Sequence, residues 1–334
     1  MLMKNLRKYL SLILFLFLAG IMNSCMKDDL SKADSEDTAT VTLHINDSRS
    51  GGTSPEGIKT LRVIVLDADN NVEFNYKQSF GNETDQQTKK TVTFLGMTTG
   101  IKKFYVVANE ESLGLNDTDY PAKGTRATND LFNKVITNTE EKSYFPKLKN
   151  EITSLSLPIT GYEEVDITTK KENITIETYH AVAKIVFKVK NTSSEEITLT
   201  GFSLGEFFAD RTYLFPSATG KFTGVNYAPF IGTVNHTFTA GAAESEYFTC
   251  YLYETPEDKK TDFKVTLSAN NPDLELPEAT INLNEATDYV VKRNTVINIV
   301  ATISKETAVE VPDIELQWQV VDWNAVTNDV PSFN

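Results

Sequence analysis

The stretch Thr38-Ala-Thr-Val-Thr-Leu-His-Ile-Asn-Asp-Ser-Arg-Ser50 combines the pattern of a β-strand with one arginine in a polar segment. Val41, Leu43 and Ile45 alternate with polar residues, and this period of two is typical of a strand with one buried face. The sequence therefore predicts a strand over residues 39–46 that places these three side chains in a core.

The residues after this strand predict an open segment that a protease can enter. Residues 46–55 contain no large apolar side chain that would hold them against a core. A trypsin-like protease could cut between Arg49 and Ser50 and separate the strand from the chain that follows. Two interpretations stay open at this point: an ordinary first strand with an arginine in its loop, or a strand that is removed by cleavage.

The composition indicates a globular protein that does not bind nucleic acid. The chain has 334 residues, of which 40% are hydrophobic and 23% charged, so two domains could each bury a core. The formal net charge is −14. A chain this acidic offers no basic surface for phosphates, and the charge instead favours solubility after export.

The amino terminus has the pattern of an export signal. Basic residues precede an apolar core at residues 10–22, which is too short for a comfortable membrane span. The segment after this core ends at Cys25, directly after a serine, and this resembles a bacterial lipoprotein signal in which the cysteine is acylated. We therefore expect a signal peptide over residues 1–24 and a flexible tether over residues 25–37.

The residues after the cysteine bear on where the lipid anchor is displayed. Lys27, Asp28 and Asp29 resemble the signal that sends some lipoproteins to the outer face of the outer membrane. The alternatives are an anchor that faces the periplasm and a simple solvated tether.

The rest of the sequence predicts an all-β protein made of sandwiches, because short alternating segments recur with turn residues between them. One short helix is expected over residues 128–138, in a loop of the first domain, where apolar residues follow an i, i+1, i+4, i+5 pattern. A segment rich in charge and threonine predicts a domain boundary, which gives domains at residues 38–161 and 162–334.

The last strong strand pattern lies at residues 314–323. Ile314, Leu316, Trp318 and Val320 share one face, and polar residues occupy the other. The alternation slips after Val320, so we expect a bulge or bend before Trp323.

No catalytic, metal or cofactor site is predicted. Cys250 is expected to be a buried strand thiol, and it has no disulfide partner if Cys25 carries lipid. The histidines, His44, His180 and His236, show no metal-ligand spacing. A glycosidase with carboxylates on distant strands would leave no local motif, so this class stays open as an alternative, although nothing in the sequence favours an enzyme.

Several segments, in order over most of the chain, resemble the fimbrillins, the lipoprotein-derived subunits of type V pili of Gram-negative anaerobes. These segments are the cysteine at residue 25, the strand 39–45 closed by Arg49, residues 61–65 (LRVIV), 104–109 (FYVVAN), 157–158 (LP), 180–185 (HAVAKI), 251–254 (YLYE), 293–294 (RN) and 321–323 (VDW).

The resemblance implies two tandem transthyretin-like (Greek-key) β-sandwiches and assembly by strand exchange. It implies that cleavage at Arg49 removes the first strand and that the last strand, residues 314–323, fills the vacated groove of another subunit. The implied partners are other pilus subunits, the outer membrane through the lipid, and host or bacterial surface ligands. Many stalk subunits have alanine after the arginine, whereas this chain has Ser50. A tip subunit, an anchor subunit and a non-polymerising surface lipoprotein that binds glycan or host protein through its loops remain alternatives.

Overall fold

The structure is a computed structural model, and it describes residues 38–47, 57–80, 89–127, 133–139, 142–152, 156–168, 170–216, 224–255, 263–270, 276–281, 291–305 and 312–323. Cys25, Arg49 and Ser50 lie outside the described residues, as do the export signal and the tether. Within the described ranges no helix is long and apolar enough to cross a membrane.

The described chain is built from strands, which confirms the all-β prediction. They are β1 (Thr38–Asp47), β2 (Thr60–Asp67), β3 (Val72–Ser79), β4 (Lys89–Thr98), β5 (Gly100–Ala108), β6 (Val135–Thr137), β7 (Lys147–Leu148), β8 (Ile159–Ile167), β9 (Lys171–His180), β10 (Ala183–Asn191), β11 (Ile197–Ala209), β12 (Arg211–Tyr213), β13 (Tyr227–Gly232), β14 (His236–Phe238), β15 (Ser245–Leu252), β16 (Phe263–Ala269), β17 (Ala279–Ile281), β18 (Thr295–Ser304) and β19 (Asp313–Asp322). Short 3-10 turns cover Glu110–Leu113, Asp117–Asp119 and Lys149–Glu151.

The first sheet has seven strands in the order β3-β2-β5-β8-β9-β1-β4. Strands β8 and β9 are joined by only two residue pairs, Ile159 with His180 and Thr160 with Tyr179. On either side of this narrow contact, the strands turn apolar faces into one shared cluster, which we call the first core. Buried side chains of β1, β4 and β9 meet buried side chains of β2, β5 and β8 in it.

A second five-stranded sheet, β19-β18-β10-β15-β7, shares another core with a third sheet, β13-β11-β16-β17, with β14 paired to β11. Within this second core the rings of Phe187 and Phe202 both stack on the ring of Phe248, with centroid distances of 5.0 and 3.9 Å. Aromatic contact of this kind adds to the stabilisation from apolar burial.

A third cluster, the junction core, connects the first and second sheets. Strands β2 and β5 turn their remaining faces into it through side chains such as Ile64 and Tyr105. The second sheet contributes Tyr251, Val296 and, just after β19, Trp323. Both faces of β2 are therefore buried, and six consecutive residues of that strand are inaccessible to solvent.

The second sheet repeats one feature of the first. Strand β1 runs parallel to β9 and antiparallel to β4. Strand β10 likewise runs parallel to β18 and antiparallel to β15. Only Ala181 and Val182 separate β9 from β10 in the chain.

The predicted division between residues 161 and 162 falls inside β8, a strand of the first sheet. Strand β8 pairs with β5 from Ile159 to Ile167, and β9 pairs with β1, so the first sheet continues to His180. The charged and threonine-rich residues that suggested a linker include Glu163 and Glu164, which are exposed on β8. A strand with one solvated face resembles a polar linker in composition alone.

The predicted helix over residues 128–138 is wrong where the structure describes it. Residues 128–132 lie outside the described ranges, and Val135–Thr137 form β6, paired antiparallel with β12. Ile136 is buried in the junction core opposite Thr212. Pairing with a strand more than seventy residues away overrides the local helical pattern, as tertiary contacts often do for short segments.

A buried ion pair fixes the loop after β5 onto β2. Arg62 donates to both carboxylate oxygens of Glu110, at 2.6 and 2.8 Å, and both side chains are buried. Asp117 also accepts from Arg62, which holds the pKa of the Asp117 carboxyl below its usual range. Lys77 lies 2.8 Å from Glu110 and shares the compensation of its charge.

Arg62→Met is expected to lower the free energy of unfolding by about 3 kcal/mol, the lower end of the cost of leaving a buried charge with reduced compensation. Urea unfolding measures this loss. The matched control is Lys188→Met, which breaks the more exposed pair with Glu244 and should cost about 0–1 kcal/mol. Equal losses in the two variants would contradict the importance assigned to the buried pair.

Leu43→Ala is expected to lower the free energy of unfolding by about 2–5 kcal/mol, because Leu43 of β1 is fully buried in the first core. Thr42→Ala, on the outer face of the same strand, should change it by about 0.5 kcal/mol or less. Thermal or urea unfolding of both variants checks the difference. A small effect of Leu43→Ala would mean that β1 contributes little to the stability of this core.

Candidate functional site: the first and last strands

Strand β1 is buried along its inner face, as the sequence predicts. Val41, Leu43 and Ile45 have no solvent exposure, and Ala39 is 3% exposed. At about 1.5–3 kcal/mol for each fully buried aliphatic side chain, the three larger residues contribute on the order of 5–9 kcal/mol of apolar burial. The opposite face is polar, with His44 exposed and Thr42 close to Thr93 of β4.

Strand β1 is an internal strand with hydrogen-bonded neighbours on both sides. It forms eight parallel residue pairs with β9, from Thr40 with Lys171 to Asp47 with Thr178. On its other side it pairs with β4 from Thr38 to Asn46 in antiparallel register, with an irregularity between Ala39 and Val41. Within the described residues, no other strand pairs with β4.

Removing β1 from this arrangement would create a groove with two open edges. Its two sides would be β4 and β9, which carry the apolar side chains of Phe94 and Ile176, and its floor would be the facing side chains of the first core. Open strand edges beside apolar surface are a template for the addition of another strand. Such a groove would therefore accept an extended apolar segment.

Strand β19 lies at the edge of the second sheet, paired along its whole length with β18. Ile314 is buried in the second core, and Leu316, Trp318 and Val320 pack partly buried against it. This confirms the predicted apolar face. In the described part of the sheet, the other edge of β19 has no paired strand.

The expected bulge near Val320 is absent, since the pairing of β18 with β19 is regular over ten residue pairs. Val320 packs against the second core, whereas Val321 and Trp323 contact the junction core on the opposite face. The apolar pattern changes phase because a second core begins there, and a straight strand serves both cores.

Sequence reasoning missed the contacts of Trp323. Its ring stacks on His180 with a centroid distance of 4.0 Å and an interplanar angle of 15°. Its backbone N–H donates to the carbonyl of Asn294 at 3.0 Å. Asn294 has a φ of 58°, the left-handed region that asparagine tolerates better than most residues. The phase change before Trp323 was the sequence signal that this residue faces a different core.

The structure brings together no reactive cluster from the other candidate residues. Cys250 is buried in the second core with no disulfide, and burial raises the pKa of its thiol. His44 is exposed on β1, His236 is exposed on β14, and His180 is buried in the junction. Among the described residues, no group of three His, Cys, Asp or Glu side chains could hold a metal ion.

Tyr227 and Phe230, two aromatic residues that could contact a ligand if they were exposed, are half-buried. Tyr227 packs against the junction core, and Phe230 packs against the second core, with its ring 5.6 Å from the ring of Phe202. Neither forms an exposed aromatic platform.

Comparison with solved structures shows the fold. The chain is similar to a candidate cell-adhesion protein from Bacteroides eggerthii, with 17% identity, coverage of 86% of this chain and 96% of that one, and a TM-score of 0.56. It is similar to the tip fimbrial protein Mfa3 from Porphyromonas gingivalis, with 13% identity, coverage of 85% and 99%, and a TM-score of 0.54. It is also similar to a fimbrial assembly protein from Parabacteroides distasonis, with 14% identity, coverage of 85% and 96%, and a TM-score of 0.50.

Comparison by sequence finds a family match for the first part of the chain. No curated protein sequence matches the chain. Residues 39–177 match the family model of the major fimbrial subunit protein FimA, and this segment begins inside β1 and ends inside β9. The family is one of fimbrial subunits and not of enzymes, which agrees with the expectation that this chain has no catalytic site. Over residues 39–177 this chain is therefore similar to the FimA family of fimbrial subunits, which confirms the resemblance to the fimbrillins.

Proposed function

We propose that this chain is a structural subunit of a surface pilus and that it polymerises by strand exchange after β1 is removed. In this proposal a protease cuts between Arg49 and Ser50, β1 leaves, and β19 of another subunit enters the vacated groove. The assembled pilus supports adhesion. The observation that carries the proposal is the position of β1, which lies between two strands and ends only two residues before Arg49.

The chemistry of the two strands supports the exchange. Strand β1 presents three fully buried aliphatic side chains to the first core. Strand β19 carries four apolar side chains on one face, including Trp318, and all but Ile314 are only partly buried in its own subunit. A donor with a larger apolar face than the strand it replaces can make the exchange favourable, because apolar burial scales with the area removed from water.

The described sheets also support the finer description of the fold, two tandem transthyretin-like sandwiches. The first core and the second core are separate, and each lies beside a strand with one parallel and one antiparallel neighbour. We place the change from one sandwich to the other after His180, at Ala181 and Val182, where β9 gives way to β10.

Export and anchoring are part of the proposal and rest on the sequence. Acylation of Cys25 would hold the newly exported chain at the outer membrane, and the residues that follow favour display on the cell surface. Cleavage at Arg49 would then release the subunit from its lipid. Other pilus subunits, the outer membrane and surface ligands of host or bacterial cells are the proposed partners.

A second candidate function follows from Ser50, which stands where many stalk subunits have alanine. An anchor subunit, or a surface lipoprotein that does not polymerise, would keep β1 and the acylated Cys25. A tip subunit would be cleaved but would not need a donor strand. These alternatives differ from the stalk subunit in the mature amino terminus and in the capacity to polymerise.

Arg49→Ala is expected to abolish high-molecular-weight polymers of this protein on the cell surface, because the lipid and β1 stay attached. Immunoblots of surface fractions, with amino-terminal sequencing, measure the outcome; the unaltered protein should begin at Ser50. The matched control is Arg126→Ala, which removes an exposed arginine in a loop bridged to Asn71 and should leave the polymers intact. Unchanged polymers in the Arg49→Ala strain, or a mature protein that begins with acylated Cys25, would overturn the proposal.

Trp318→Ala is expected to weaken subunit association by about 2 kcal/mol or more, roughly 30-fold, because buried tryptophans dominate many interfaces. Purified subunits cleaved at Arg49 can be titrated, and the concentration at half-maximal polymerisation compared. Gln317→Ala, an exposed position on the same strand, serves as the control and should change this concentration little. Equal effects of the two variants would argue that β19 is not the donor.

A further inference from the structure

We propose that Trp323 is a latch that keeps β19 on its own subunit while β1 is in place and that loosens when β1 leaves. The biological meaning of this latch rests on the proposed function. The coupling itself is a property of one uncleaved chain, so it can be tested without protease or polymerisation.

The buried side chain of Trp323 fixes the end of β19 in the junction core. This side chain is 6% exposed, and its ring stacks on the ring of His180 and lies nearly parallel to the ring of Tyr251, whose centroid is 6.0 Å away. The ammonium group of Lys184 lies 5.3 Å from the ring centroid. A strand that swings out as a donor must pull this side chain out of the junction core.

The ring of Trp323 stacks on a residue that belongs to the other sheet. His180 is the last residue of β9, a strand of the first sheet, whereas Trp323 follows β19 of the second sheet. Asn294 fixes both residues. Its side-chain oxygen accepts from the backbone N–H of His180 at 3.2 Å, and its backbone carbonyl accepts from the N–H of Trp323. The end of β9 therefore forms one wall of the pocket that holds the end of β19.

Strand β9 depends on β1 for most of its strand pairing. Strand β9 shares eight residue pairs with β1 and two with β8, and the latter two include His180 itself. Without β1, residues Lys171–Thr178 lose every strand partner that the described sheet gives them. The strand would then be held through the side chains in the first core and through its last two residues, and the wall behind Trp323 would loosen.

The consequence is that opening the groove and freeing the donor are linked within one subunit. Before β1 leaves, the groove is filled and β19 is latched, so the chain can neither accept nor donate a strand. Loss of β1 changes both states together. Such coupling must be reciprocal, so that loosening Trp323 also loosens β1.

Hydrogen exchange on the full chain carrying Arg49→Ala tests this coupling. Leu43→Ala loosens β1, and Leu61→Ala is the matched control, since both leucines are fully buried in the first core but Leu61 lies on β2. We expect Leu43→Ala to speed exchange of the β19 amides and of the Trp323 amide by about 5-fold or more, a common size of coupling between sites, and Leu61→Ala to leave their rates much closer to those of the parent. Equal acceleration in both variants, or none in either, would overturn the proposal.

A second pair of variants, with smaller changes in side-chain volume, tests the coupling if the Leu43→Ala variant does not fold. Ile45→Val alters β1 opposite Ile176 of β9, and Ile167→Val alters the same core at the far end of β8. The first should speed exchange at Trp323 more than the second.

The reverse experiment uses Trp323→Ala and follows the amides of β1. They should exchange faster by a factor similar to that seen at β19 in Leu43→Ala, while the amides of β11 and β16 in the third sheet change little. A uniform acceleration over all sheets would show that Trp323 is only a structural residue. Because none of these chains can be cut at Arg49, a positive result stands even if the protein proves not to polymerise.

Discussion

The structure depends on the insertion of β1 between β9 and β4. This one strand connects β4, which pairs with no other described strand, to the rest of the first sheet, and it covers one side of the first core. Its hydrogen bonds run to both sides and its inner face is fully buried, so the first core is complete only while β1 is present. The same strand lies at the start of the described chain, two residues before an arginine. The strand that the first core requires is therefore also the strand next to a potential cleavage site.

Much of this arrangement could be predicted from the sequence because strand burial has a period of two. The alternation at Val41, Leu43 and Ile45 and at Ile314, Leu316 and Trp318 identified both strands and their apolar faces. Alternation reports which face is buried, but not which strand lies alongside. The parallel pairing of β1 with β9 joins residues about 130 positions apart and leaves no local signal.

The sequence-based predictions that differ from the structure share one physical origin. The local apolar pattern of residues 128–138 predicts a helix, but residues 135–137 form β6 because they pair with β12, which is distant in the chain. The predicted domain boundary falls inside β8 because exposed residues of that strand have the composition of a linker. At Trp323 the change of phase was visible, but it was attributed to a bulge because a second core on the opposite face could not be anticipated. In each case, a contact between distant segments decided the local structure.

Strand β10 has the same kinds of neighbours as β1 but a different connection to the chain. Only Ala181 and Val182 separate it from β9, so β10 has no free end that a cut after Arg49 could release. In the proposed exchange, each molecule would lose one strand at an end and give one edge strand. One vacancy and one donor on different parts of the same molecule produce a head-to-tail association that does not close on itself by symmetry. Two such connections for each molecule, one accepted and one given, would suit an unbranched filament.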